Sequence, residues 1–221
     1  APLHDRFRRV SFRQAGILTD EALGAQLSGQ AQVLCIVNSR KAAQSIFSLL
    51  PPEGSFHLST LMIPAQRQAL LDEIRARLKA GLPCRVVSTS LIEAGVDVDF
   101  PFVYRELAGL DSVLQAAGRC NREGTRPAGE SIVTVFERTE PPPALFRTAI
   151  GAAREALAQG RDPAAAETMG LYFRSLRSLT GTALDKHGVV KAFETGISGC
   201  MLPFRTVAEK FHLIDQNTRT V

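Results

Sequence analysis

The chain has 221 residues, of which 45% are hydrophobic and 22% charged, and its formal net charge is +4 at pH 7. This composition is typical of a globular protein and argues against disorder. No apolar run approaches the roughly 20 residues that cross a bilayer, and the polar, basic N-terminus argues against a secretory signal. We therefore expect a cytoplasmic protein with no membrane attachment. The small basic excess is compatible with nucleic acid, but equally with many small ligands.

Cysteine usage also argues against two classes of site. The four cysteines are widely spaced and form no C-x-x-C pair, so neither a zinc site nor a disulfide framework is predicted, and reduced thiols are favoured. The chain opens without Met, which favours a fragment or a processed product. The cysteines are Cys35, Cys84, Cys120 and Cys200.

Short apolar runs alternate with helical patterns through the first part of the chain. The runs, at 33–37, 84–88, 102–104 and 132–136, are typical of buried parallel strands. Stretches 39–50, 65–81 and 111–120 begin or end with capping residues and indicate helices between the strands. The alternation predicts an α/β fold with a parallel sheet flanked by helices. In such sheets ligands bind beyond the carboxyl ends of the strands.

The character of the sequence changes near residue 140. A triple proline at 141–143 indicates a linker, and an Ala-rich helical pattern follows as far as about residue 177. We predict one unit at residues 1–138, and a mainly helical segment at 139–221 that begins an accessory domain. A strand-like run begins at residue 211.

Polar residues follow the first predicted strand. Asn38 and Ser39 precede two cations, of which Arg40 is the first, and cations at a helix start are unfavourable unless an anion is bound. Nucleic-acid phosphate is one candidate and a solvated helix end is the other. The hydroxyls of Ser59 and Thr60 follow another strand-like stretch and are candidates for the same surface.

The segment at 88–97 follows the strand that ends at residue 88. Thr89 and Ser90 fall at the carboxyl end of that strand, where hydroxyls and free amides suit a phosphate oxygen. Gly95 permits a tight turn, and Asp97 then offers a carboxylate for a ribose hydroxyl or for an arginine. A plain helix cap followed by a turn explains the same residues.

The segment at 115–122 carries two arginines three positions apart. On a continuous helix Gln115, Gly118, Arg119 and Arg122 share one face, and two guanidiniums placed together suit an anion such as a nucleotide γ-phosphate. Gly118 lets a ligand approach closely. An exposed basic helix with a chance glycine is the alternative interpretation.

These segments resemble, in order, motifs IV, IVa, V and VI of the second RecA-like lobe of superfamily 2 helicases. The stretches STSLIEAGVDVDF, QAAGRCNREG and LPFRTVAEKFHLID resemble most the helicase–nuclease of type I CRISPR–Cas systems. The resemblance is strong over about residues 33–135 and looser over the C-terminal part.

The resemblance implies that ATP binds between this lobe and a first lobe. Arg122 matches the arginine finger and Arg119 its companion near the γ-phosphate. The nucleotide cleft would include Gln115, Gly95, Asp97 and Gly118. Contacts with the nucleic-acid backbone would come from Asn38, Ser39, Arg40, Ser59, Thr60, Thr89 and Ser90.

The family also implies translocation along single-stranded DNA with ATP and Mg²⁺, a separate HD nuclease domain and recruitment by an RNA-guided surveillance complex. The chain has no G-x-x-x-x-G-K-[ST] loop and no DExx acid that follows one of the predicted apolar strands, so Mg²⁺ would be bound by the first lobe. We expect this chain alone neither to hydrolyse ATP nor to cut DNA. A lobe of a DEAD-box-like RNA helicase, or a RecA-like module that only binds nucleic acid or protein, is the alternative.

Overall fold

The structure, a computed structural model, describes residues 8–93, 95–181, 185 and 187–211. Its centre is a six-stranded sheet in the order β1-β6-β5-β2-β4-β3, and every neighbouring pair is parallel. The predicted parallel α/β sheet is therefore confirmed. The strands are β1 Ser11–Leu18, β2 Gln32–Ile36, β3 Ser55–Leu58, β4 Cys84–Ser88, β5 Phe102–Glu106 and β6 Ile132–Arg138.

Helices cover the two faces of the sheet and continue beyond its last strand. Thr19 caps α1 and Ser39 caps α2 by accepting a hydrogen bond from a backbone amide of the first turn. A proline begins α3, which suits a position whose amide has no partner within the helix. The helices of the described residues are α1 Asp20–Ser28, α2 Arg40–Phe47, α3 Pro64–Lys79, α4 Leu110–Ala117, α5 Arg147–Leu157, α6 Ala166–Thr180, α7 Val189–Ser198 and α8 Phe204–Lys210.

The central strand β2 is apolar at every position after Gln32. Leu34 and Ile36 pack into the core on one face of the sheet, whereas Val33 and Cys35 pack into the core on the other. Alternate side chains of a strand point to opposite faces, so a strand covered on both sides needs no polar positions. The prediction of a buried strand here is confirmed.

Three elements were not predicted as they stand. The edge strand β1 is half exposed and contains polar and charged residues, and α1 follows it directly. The strand β3 ends at Leu58, directly before Ser59 and Thr60, and the sequence indicated it only as a strand-like stretch without bounds. Of the strand-like run expected from residue 211, residues 212–221 lie outside the described residues.

The chain divides into two compact units, Ala1–Leu176 and Arg177–Val221. In the first unit, α5 packs against the end of β5 and against α4, because Ile150 and Ala153 share a core cluster with Leu107, Leu110 and Val113. In the second unit, the rings of Phe193 and Phe204 join α7 to α8 edge to face, with centroids 5.6 Å apart. The division at 138/139 stays a prediction. Among the described residues, no helix has both the length and the apolar character needed to cross a membrane.

Candidate active site

The turn after α4 determines where the two arginines of 115–122 lie. The helix ends at Ala117 with Gly118 as its cap, and Asn121 has a positive φ of 46°. The amide nitrogen of the Asn121 side chain donates to the backbone carbonyls of Arg9 and Arg126, at 2.7 Å each. The backbone therefore leaves the helical path between the two arginines.

The predicted shared helical face of Gln115, Gly118, Arg119 and Arg122 is consequently wrong, since Arg122 is not on a helix. The physical reason is local: beyond Ala117 the helix tightens, with the amides of Arg119 and Cys120 donating three positions back, and asparagine tolerates the left-handed conformation that follows. Gln115 and Gly118 are exposed on the last turn of α4, whereas Arg119 is buried.

Arg119 is held by backbone carbonyls of the segment at 88–97. Its Nε donates to the carbonyl of Ile92 at 3.0 Å and its Nη2 to that of Glu93 at 2.6 Å. Burial, and after it the positive charge of Arg122, lowers the pKa of Arg119. Arg119 therefore fixes the turn after α4 against the segment at 88–97.

Arg122 lies at the surface and is paired with Asp97. The Nε of Arg122 is 2.6 Å from a carboxylate oxygen of Asp97, and the two side chains are 45% and 79% exposed. The backbone amide of Arg122 donates to the carboxylate of Asp99 at 2.8 Å. Asp97 therefore orders an arginine, which is one of the two roles that its position suggested. An open cavity of about 440 Å³ adjoins this pair, and its lining includes Arg75, Asp97, Asp99 and Arg126.

This arginine turn lies beside the start of β5 rather than beyond its carboxyl end. Phe100, which precedes β5, pairs with Cys120 in a parallel bridge, and the amide of Asn121 donates to the carbonyl of Phe100 at 3.0 Å. Because α4 runs back along the sheet after β5, its end returns to the level where that strand begins. The rule that ligands gather at the carboxyl ends of strands therefore does not locate Arg122.

Thr89 and Ser90 follow β4, and Ser90 begins a short 3-10 turn that ends at Ile92. Ser90 is exposed and Thr89 is half-buried, so both hydroxyls lie at or near the surface beyond a strand end. Gly95 is exposed with a φ of +72°, a conformation that favours glycine. The tight turn that was predicted before Asp97 is present.

The residues after β2 and β3 lie at the same edge of the sheet as Thr89, because parallel strands end on one side. The hydroxyl of Ser39 accepts from the amide of Ala42 at 3.1 Å as the cap of α2, and Arg40 is exposed. Ser59 is buried and its hydroxyl accepts from the amide of Leu61 at 3.3 Å, whereas Thr60 is exposed. Arg40 and Thr60 are the accessible members of this group.

Asn38 makes its side-chain hydrogen bonds inside the lobe. Its amide oxygen accepts from Arg105 at 2.8 Å, its amide nitrogen donates to the carbonyl of Leu107 at 2.8 Å, and its backbone amide donates to the carboxylate of Glu106 at 2.7 Å. Direct contact of Asn38 with nucleic acid stays a prediction, and the structure gives its side chain a clear role in joining β2 to β5.

The sequence interpretation missed a buried charge network at this edge. Arg105 is the largest of the fully buried side chains of the described residues, and its Nε is 2.8 Å from a carboxylate oxygen of Glu93. Burial raises the pKa of both Glu93 and Glu106. The signal available in the sequence was the charged pair Arg105 and Glu106, which directly follows the apolar run at 102–104. This pair was interpreted as the end of the strand.

A six-stranded parallel sheet flanked by helices is a RecA-like fold. Residues 29–125 match the family model described as CRISPR-associated nuclease/helicase Cas3, C-terminal. A segment of 72 residues is 42% identical to the CRISPR-associated nuclease/helicase Cas3 of Haloferax volcanii, and it covers 32% of this chain and 8% of that protein. A segment of 112 residues is 25% identical to the Cas3 of Methanothermobacter thermautotrophicus, and it covers 49% of this chain and 14% of that protein.

Solved structures agree with this assignment at the level of the fold. The crystal structure of T. fusca Cas3 with AMPPNP matches with a TM-score of 0.62 at 16% identity, over 95% of this chain and 30% of that chain. A chain of a CRISPR RNA-guided surveillance complex before nicking matches with a TM-score of 0.56 at 18% identity, over 91% and 27%. The chain thus spans less than a third of the proteins that it matches.

Residues 29–125 are therefore similar to the C-terminal part of the Cas3 nuclease/helicase family. The resemblance noted from the sequence is confirmed, and a DEAD-box-like lobe or a binding module without a helicase relationship is not favoured.

Proposed function

We propose that the chain acts as the second ATPase lobe of a Cas3-like translocase on single-stranded DNA in the cytoplasm. ATP would bind between this lobe and a first lobe that carries the phosphate loop and the acid for Mg²⁺. Sequence matches to two Cas3 proteins and nucleotide-bound T. fusca Cas3 structures of the same fold support the proposal. The observation that supports this proposal most directly is that the guanidinium of Arg122 is partly exposed and is paired with the exposed carboxylate of Asp97.

The exposed pair of Arg122 and Asp97 shows that this guanidinium takes an anionic oxygen at the surface. A phosphate oxygen offers the same chemistry, and an exposed ion pair contributes only about 0–1 kcal/mol, so exchanging one partner for another costs little. Arg122 would then stabilise the charge that develops on the transferred phosphoryl group. Gln115, Gly118 and Gly95 are exposed near the same turn and would complete the nucleotide side of the cleft.

Arg119 has a different part in the proposed reaction. Its two bonds to the carbonyls of Ile92 and Glu93 hold the arginine turn against the segment after β4, and the neighbouring positive charge adds to the field at the γ-phosphate. Arg119 would orient Arg122, and Asp97 would keep Arg122 in place when no nucleotide is bound.

Single-stranded DNA would bind across the edge where β2, β3 and β4 end. Arg40, Thr60 and Ser90 are exposed there, and contacts of such residues would be with backbone phosphate, which gives binding that is independent of sequence and sensitive to salt. Thr89, Ser39 and Ser59 would contribute through backbone amides or by shaping the surface. An HD nuclease domain of the same protein and an RNA-guided surveillance complex are the proposed partners.

The test is Arg122→Ala in the complete two-lobe protein. We expect ATP turnover to fall by about 10³-fold or more, as for other arginine fingers, while the unfolding transition stays close to wild type. Arg154→Ala is the matched control, because Arg154 on α5 is likewise an exposed arginine paired with a carboxylate, that of Glu137. Normal turnover in Arg122→Ala, or an equal loss in Arg154→Ala, would remove Arg122 from this role.

A further inference from the structure

The buried network around Arg105 joins three segments of the lobe. The Nε of Arg105 is 2.8 Å from a carboxylate oxygen of Glu93, and the two side chains are 1% and 5% exposed. Its Nη1 donates to the side-chain oxygen of Asn38 at 2.8 Å and to the carbonyl of Glu106 at 2.6 Å. The planar guanidinium of Arg105 thus bridges Asn38 beyond β2, Glu106 at the end of β5, and Glu93 in the turn after β4.

Burying an arginine in the middle of a sheet costs free energy. Taking a charge out of water costs several kcal/mol, and well-packed apolar residues in place of a buried ion pair are often neutral or stabilising. Arg105 lies on the central strand β5, two positions after Val103, which is a fully buried core residue. An apolar side chain at position 105 would therefore suit the fold. The fork of hydrogen bonds therefore points to a role in geometry.

The network connects the two sides of the proposed site. Asn38 immediately precedes Ser39 and α2, at the edge proposed for DNA. Glu93 is the residue whose carbonyl receives the guanidinium of Arg119, on the side proposed for nucleotide. Contacts therefore run without a break from Asn38 through Arg105 and Glu93 to Arg119.

We propose that Arg105 is a positioning residue that couples the DNA edge of the lobe to its nucleotide side, an inference that rests on the function proposed above. A shift of α2 when DNA binds would be passed through Asn38 to the guanidinium, and from there to the turn that holds Arg119. Arg105 itself touches neither ligand. Its effect is on how strongly DNA changes the rate of ATP hydrolysis.

The experiment measures ATP turnover by the complete protein with and without saturating single-stranded DNA, and compares the ratio of the two rates. In Arg105→Met we expect this ratio to fall about tenfold to hundredfold, the size of effect that small misplacements of catalytic groups produce. The KM for ATP and the rate without DNA stay close to wild type. A residue that only stabilises the fold would lower both rates together.

Two further variants separate geometry from charge. Arg105→Lys keeps the positive charge but lacks the fork that reaches Glu93 and Asn38 at once. We therefore expect Arg105→Lys to fold and to show the same lowered ratio of ATP turnover with and without DNA as Arg105→Met. Glu93→Gln keeps an oxygen for Arg105 and lowers the ratio less than Arg105→Met does. Arg85→Met is the matched control, since Arg85 is a half-buried arginine at the start of β4 that donates to the carbonyl of Ser28 at 3.3 Å, and it keeps the wild-type ratio.

A folded Arg105→Met or Arg105→Lys protein with the wild-type ratio overturns the inference and leaves the proposed function standing. If neither variant folds, Glu93→Gln decides in the same way: a lowered ratio supports the coupling and a wild-type ratio overturns it. A wild-type protein whose ATP turnover does not respond to DNA overturns the proposed function and the coupling together. The two failures are distinguishable, because one is seen in the wild type and the other only in the variants.

Discussion

The two arginines of the turn after α4 should differ sharply in what they contribute to stability. Removing the side chain of Arg119 takes away two short hydrogen bonds to buried carbonyls, whereas removing that of Arg122 takes away one exposed ion pair. The substitutions Arg119→Ala and Arg122→Ala delete the same atoms. Any difference between them therefore reports on the surroundings of each guanidinium.

The expected size follows from those surroundings. A hydrogen bond with a charged donor contributes about 1.5–3 kcal/mol, so two of them give about 3–6 kcal/mol, and hydration of the freed carbonyls of Ile92 and Glu93 reduces the net loss to about 2–4 kcal/mol. The contact of Arg119 with the carbonyl of Gly118, at 3.5 Å, is too long to add to this. For Arg122, with 45% of its side chain exposed, the loss should be under about 1 kcal/mol.

Urea unfolding of the purified chain, followed by far-ultraviolet circular dichroism, measures both values. The midpoint should shift strongly for Arg119→Ala and little for Arg122→Ala, with equal slopes, because an unchanged slope means that the same surface is exposed on unfolding. Losses of similar size for the two variants, or a loss under about 1 kcal/mol for Arg119→Ala, would refute the assignment of a holding role to Arg119.

Three other predictions follow from the same structure. The purified chain alone should neither hydrolyse ATP nor cut DNA, and measurable turnover would contradict this. Asp20→Ala should cost about 2–3 kcal/mol in urea unfolding, because Arg138 donates two 2.9 Å hydrogen bonds to that carboxylate and would keep only a longer contact, at 3.5 Å, with Glu140. Although burial opposes it, hydrogen bonding from Arg138 and Ser45 lowers the pKa of Asp20, so this stabilisation is present above the ordinary value of 3.8 and is lost as the pH falls below it. Burial lowers the pKa of His57 below its ordinary 6.5. The unfolded chain therefore binds the extra proton, and the free energy of unfolding falls as the pH drops through 6.5. This pH dependence should be weaker in His57→Gln, and an unchanged profile would exclude His57 as its source.

Apolar runs determined how much of the sheet could be predicted. The strands β2 and β4 are buried on both faces, and apart from Gln32, Arg85 and Ser88 their residues are apolar, so both strands were predicted closely. The edge strand β1 is half exposed and contains Arg13 and Gln14, and its pairing with β6 is a contact between residues more than a hundred positions apart. Local periodicity carries no information about such a pairing.

The site shows the same limit in its charged residues. Arg105 was left outside β5 because a charged residue in a strand indicates an end unless its partners are known. Those partners, Glu93 and Asn38, lie 12 and 67 positions away and meet it only through the order of the strands. The helical spacing of Arg119 and Arg122 was wrong for a local reason, since Gly118 and Asn121 were signals for a helix end that the spacing argument passed over.

The break in the helix changes how the arginine turn would work. On a continuous helix both guanidiniums would face one anion with similar freedom. In the structure, Asn121 turns the backbone so that Arg119 is buried against carbonyls while Arg122 pairs with an exposed carboxylate. In the proposed role Arg122 would engage and release a phosphate in every cycle, which would need a resting partner of low affinity, and an exposed pair of about 0–1 kcal/mol would meet that need. The buried Arg119 meets the opposite need, because a turn that moved freely would lose the alignment on which electrostatic stabilisation of the reaction depends.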